Sequence, residues 1–130
     1  IADIAFAPVA ARFAGYDVAL SDTAQRYVDT HLADPWFRQW RTMGLTTGDT
    51  LPWYAKPFEA KAWPGPAALN ATPVDAGPAV NAHCPFTGGA PTYFLEMDGR
   101  IYGFENKTCR DETALDPEAW PAFMALTTSS

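Results

Sequence analysis

Basic residues are few and nowhere clustered. The 130-residue chain has nine Lys and Arg against fifteen Asp and Glu, a formal net charge of -6. An acidic surface is repelled by phosphate backbones, so nucleic-acid binding is not expected. No run of about 18 apolar residues is present, which excludes a transmembrane helix and membrane insertion through one. A Gly-rich phosphate loop, a Gly-x-Ser-x-Gly elbow and a His-Glu-x-x-His helix are all missing. No internal repeat and no signal peptide are visible. Cysteine is scarce: only Cys84 and Cys109 occur, compatible with one disulfide or one small metal site.

What is present is apolar and punctuated. Hydrophobic residues make up 48% of the chain, with twelve prolines and nine glycines. That content rules out intrinsic disorder, and the length suits one domain. The expected fold class is α+β, with a helical part over residues 1–44, a proline-rich ordered loop over 45–82, and a hairpin–helix unit over 83–126. In the helical part, Pro8 is placed to open a first helix, whose face is Val9, Phe13, Tyr16 and Leu20. Ser21 is a suitable N-cap for a second helix containing Tyr27, Val28, His31 and Leu32. His31 is expected at the surface or near a helix end. Asp34 and Pro35 restart a helix as cap and first residue, and Gly44 ends it. Its face of Trp36, Phe37, Trp40 and Met43 is expected in the core. In the proline-rich loop, Trp53, Tyr54, Phe58 and Trp63 predict packing against the core, with a short helix near residues 57–63. Asn70-Ala71-Thr72 and Asn106-Lys107-Thr108 match the glycosylation sequon.

The clearest local signal is a hairpin. Residues 92–97 and 100–104 flank Asp98-Gly99, the pair preferred in a type I′ turn, and both flanks carry aromatic and β-branched residues. Across that turn Met97 faces Arg100 and Leu95 faces Tyr102. Thr108 is then expected to cap a short helix to Leu115, and Asp116 a second, with Pro117 as its first residue and Trp120, Phe123 and Met124 turned inward. Residues 127–130 form a polar tail expected to fray.

Cys84-Pro85-Phe86-Thr87-Gly88, the hairpin Asp98-Gly99-Arg100-Ile101-Tyr102-Gly103-Phe104, Cys109, and Asp116-Pro117-Glu118-Ala119-Trp120 occur in the order seen in the YHS domain. The segment from Cys84 to about Leu126 therefore resembles that family, a relative of the TRASH-like metal-binding knuckles. The first 80 residues lie outside the resemblance. The family places a cysteine after the second strand, where this chain has Glu105. The resemblance implies a hairpin followed by helices, and a metal site. Its candidate ligands are the thiolates of Cys84 and Cys109, a nitrogen of His83, and a carboxylate oxygen of Glu105 in place of the family cysteine. Such a set suits zinc, or copper with Met97 taking part.

The residues also permit a disulfide between Cys84 and Cys109, since they flank a hairpin that brings their chain segments together. Closing that loop would stabilise the fold by about 3 kcal/mol. A nucleophilic Cys–His pair is disfavoured, because His83 and Cys84 are adjacent and their side chains diverge. Asp17, Asp22 and Asp34 are scattered helix-end charges. The expectation is a non-enzymatic, extracytoplasmic YHS-like protein binding copper or zinc. The alternative is a structural or protein-interaction module in which the cysteines are bonded and no metal is held. The start at Ile1 without methionine, and the even cysteine count, point to a processed, secreted, periplasmic protein.

Overall fold

A computed structural model describes residues 2–128; Ile1 and the last two residues of the expected tail lie outside that range. The fold is α+β. Helices α1 (Ala2–Gly15), α2 (Asp22–Ala33) and α3 (Pro35–Thr46) come first, and a single 3-10 turn follows at Pro52–Tyr54. Strands β1 (Thr72–Val74), β2 (Tyr93–Met97) and β3 (Arg100–Phe104) form an antiparallel sheet in the order β1-β2-β3. Helix α4 (Lys107–Leu115), a 3-10 turn at Pro117–Ala119, and α5 (Pro121–Thr128) complete it. None of these helices is long and apolar enough to cross a membrane.

The helix starts follow their caps. The Ser21 hydroxyl accepts from Ala24 N, and one Asp34 carboxylate oxygen accepts from both Trp36 N and Phe37 N, with Pro35 at the first helical position. Other boundaries differ from expectation. Helix α1 begins at Ala2 and carries Pro8 inside it, where the ring costs one backbone hydrogen bond. Its buried face is made of alanines: Ala10 is buried, with Ala7, Ala11 and Ala14 packed beside it. Small side chains let α2 approach closely, whereas Tyr16 of the expected face is 77% exposed. Gly44 does not end α3, which continues to Thr46.

The aromatic face of α3 is only partly core. Phe37 is buried, but Trp36 is 76% and Trp40 54% exposed, and Met43 is also exposed. The proline-rich segment behaves similarly. Trp53, Tyr54 and Phe58 are exposed and no helix forms at residues 57–63; Trp63 alone packs, stacking on Phe37 at 6.4 Å beneath the Arg41 guanidinium. His31 is buried, not at the surface, and its Nε2 lies 3.1 Å from the Asp3 carbonyl oxygen.

The hairpin has the expected register, Leu95 opposite Tyr102 and Met97 opposite Arg100. Asp98 and Gly99 take φ of 53° and 74°, the paired positive values a type I′ turn requires. Strand β1, not anticipated, pairs with β2; its Pro73 is tolerated because the strand is at the sheet edge. The other edge is covered by the segment before Cys84. Val80 N donates to Ile101 O, and the Asn81 amide exchanges two hydrogen bonds of 2.8 Å with the backbone of Gly103. Asn81 thus stands in for a further strand.

Two apolar clusters result. One joins Val28, Leu32 and Phe37 to the α1 alanines; the other gathers Cys84, Leu95, Met97, Tyr102, Phe104 and Phe123. Polar contacts clasp the two parts. Arg38 donates to both Asp116 carboxylate oxygens at 2.7 and 2.6 Å and to Glu118 at 3.2 Å, and Gln39 Nε2 donates to Ala119 O at 2.6 Å. The Asp116 carboxylate is thus engaged by Arg38 and makes no side-chain cap, so only a 3-10 turn follows it.

Candidate functional site

Cys84 opens a tight loop. Its N–H donates to Gly89 O and its carbonyl accepts from Gly88 N, at 2.8 and 2.9 Å. Gly88 makes this closure at φ 77°, a conformation in which a Cβ is strained. The loop turns its amides inward. The Cys84 sulfur, buried in the apolar cluster, receives the Thr87 hydroxyl and the backbone N–H groups of Glu105, Phe86 and Thr87. Phe86 lies over the site, stacked on Phe104 and edge-on to Trp120 at 5.3 Å.

Cys109 arrives from the first turn of α4. Asn106, not Thr108, caps that helix by accepting from Cys109 N at 2.9 Å. The second sequon thus has its asparagine committed to a cap. Both cysteines are free; Cys109, partly exposed, packs against the apolar cluster in which Cys84 is buried.

Their acidities diverge. Burial pushes the Cys84 thiol up, but the Thr87 hydroxyl and the three amides outweigh it and hold the group below the usual thiol value. Cys109 is held above that value, first by burial and then by negative charge on Cys84; a hydrogen bond from Asn106 acts the other way. Glu112, one turn along α4, adds a further negative charge near Cys109, and its own carboxyl is raised by burial against a lowering contact from the Thr46 hydroxyl. The fixed dipoles around Cys84 favour its thiolate form over that of Cys109.

The other proposed ligands stand apart. His83 is exposed, and its backbone carbonyl, not its ring, is engaged, by Asn81. The exposed Glu105 contributes its backbone N–H to the Cys84 sulfur, while its carboxylate lies against Gly89. Met97 is buried in the cluster that holds Cys84. Among the described residues, no three His, Cys, Asp or Glu side chains converge to hold one ion. Thr87, Asn106 and Glu112 were not singled out by sequence. The turn Cys-Pro-Phe-Thr-Gly carried the signal for Thr87, and an asparagine before a helix the signal for Asn106.

A second concave feature lies elsewhere. A groove of about 670 Å³ runs between α1, α2 and α3, lined by Ile4, Tyr27, His31, Trp36, Phe37 and Trp40 among others. It is apolar and holds no cysteine. The cysteine pair carries the more specific chemistry, because its donors converge on one atom. No family model, curated protein or solved structure matches this chain.

Proposed function

We propose that the chain is a non-enzymatic, extracytoplasmic, YHS-like protein whose Cys84–Cys109 pair binds a soft metal ion, copper(I) in preference to zinc. The observation that carries the reading is the packing of free Cys109 against the cluster that holds free Cys84, whose surrounding amides and the Thr87 hydroxyl favour its thiolate form. Copper(I) is a soft ion satisfied by two thiolates, whereas zinc in a structural site wants four donors. The donor set fits the first ion and falls short of the second, since no third His, Cys, Asp or Glu side chain converges on the pair among the described residues. The ion supplies a strong electrostatic partner for two thiolates. The chain's own part is to seat Cys84 on amides, to bring Cys109 to it on a capped helix, and to exclude water with Phe86 and Phe104. Resemblance of the Cys84–Leu126 segment to the YHS domain supports the same chemistry. The extracytoplasmic setting rests on the even cysteine count.

The test is anaerobic titration of the reduced protein with copper(I) against a chromogenic chelator. One ion per chain is expected, lost in both Cys84→Ser and Cys109→Ser. No uptake by the folded, reduced protein, or uptake that survives the double substitution, overturns the reading. Recovery of the tagged full-length protein from the cytoplasmic fraction would overturn the setting.

A further inference from the structure

Cys109 packs against the cluster that holds Cys84, and of the two only Cys109 reaches solvent. Cys109 is partly exposed at the first turn of α4, while Cys84 is 3% exposed beneath it. The chain has no third cysteine, so an oxidised Cys109 has one partner within the molecule. We infer that the pair is a reversible oxidation switch, in which a hydroperoxide converts Cys84 and Cys109 to a disulfide and so withdraws both metal donors. The consequence for the ion rests on the function proposed above; the disulfide itself does not.

The chemistry follows the exposure. Cys109 gives its proton to solvent and, as the thiolate, attacks one peroxide oxygen; the S–O bond forms and the O–O bond breaks. With hydrogen peroxide, the departing hydroxide takes a proton back from solvent and leaves as water, and Cys109 becomes a sulfenic acid. The Cys84 sulfur then attacks the Cys109 sulfur. The S–S bond forms, the S–O bond breaks, and the leaving hydroxide departs as a second water with the remaining proton. Two thiols are oxidised and one peroxide is reduced, with no further reactant. The second step is favoured because its nucleophile lies in the cluster Cys109 packs against, so a sulfenic acid has little time to oxidise further. Phe86, Phe104 and Trp120 shield Cys84 from direct attack, which sets the order. A dithiol reductant reverses the change by thiol–disulfide exchange.

The experiment uses the full chain, freed of metal and reductant, with a small excess of hydrogen peroxide. Intact mass should fall by two hydrogens and both titratable thiols should vanish; dithiothreitol should restore both. Addition of oxygen atoms without the hydrogen-loss species, or two thiols left untouched, overturns the switch. The wild-type measurement decides this alone, so the result does not depend on how variants fold. In Cys84→Ser, Cys109 should halt at the sulfenic acid or an intermolecular disulfide. In Cys109→Ser, Cys84 should react more slowly by roughly tenfold or more, because oxidation needs access as well as thiolate character and Cys84 is buried. Equal rates for the two single variants overturn the order. Copper(I) uptake by the oxidised protein should be lost and then regained on reduction. If the disulfide forms but the reduced protein takes up no copper(I), the ion reading fails and the oxidation chemistry stands; copper(I) uptake that persists in the oxidised protein refutes the coupling.

Discussion

Phe123 has no exposed surface and meets two rings of the hairpin, Tyr102 edge-on at 5.0 Å and Phe104 stacked at 5.8 Å. Phe123→Ala should therefore destabilise the protein by about 3–5 kcal/mol in chemical denaturation, since it removes the side chain that joins α5 to the sheet. The cysteines make a prediction of a different kind. Cys84 has a lowered folded value, so its contribution to stability is present at high pH and fades as pH falls through that value. Cys109 has a raised one, so its contribution is present below the usual thiol value and is lost as pH rises through the folded value. Between the two, the pair holds one proton. Thiolate absorbance of the reduced, metal-free protein should rise in two steps, one on each side of the usual thiol value, and Cys84→Ser should remove the lower. A single step accounting for both protons would contradict the seated-thiolate geometry.

At the scale of elements, the loop before Cys84 depends on Asn81. Its side chain makes both the bonds that a neighbouring strand would make to Gly103. Asn81→Ala leaves a buried N–H and C=O unpaired and should cost about 1–3 kcal/mol; denaturation of that variant measures it, and an unchanged midpoint would show that solvent replaces the amide. The sequence is legible where short-range chemistry decides. Asp98-Gly99 fixes the hairpin and its register, and Ser21 and Asp34 fix two helix starts, because each acts within a few residues. It is opaque where distant partners decide. Asp116 looks like a cap but is taken by Arg38 of α3. Strand β1 has too few residues to show a period, and exists because β2 offers it an edge. Trp36 and Trp40 read as core by type, yet nothing in the described chain covers them. The candidate site is half legible: the two cysteines flanking the hairpin are visible in the sequence, but Thr87 and three amides act through backbone geometry that residue identity does not encode.

For the whole molecule, the notable arrangement is two apolar clusters joined by a polar clasp. The side chains of Arg38 and Asp116 are only 14% and 7% exposed. Removing one partner of such a pair leaves the other charge buried, so Arg38→Ala should cost about 3–5 kcal/mol. It should also split unfolding, with the hairpin unit and the helical part melting separately by calorimetry; a single transition in the variant would mean the clusters are coupled by other contacts. By contrast, the pair between Lys61 and Asp17 is held by exposed side chains, and Lys61→Ala should leave the midpoint where it is. Helix α3 has a position that neither cluster explains alone. One side turns Trp36 and Trp40 to the open groove, while Arg38, Gln39 and Thr46 reach the C-terminal unit. Helix α4 carries Cys109 in its first turn and is followed by Asp116, the residue Arg38 grips. The two helices thus connect the cysteine pair to the wall of the groove through Asp116 and Arg38.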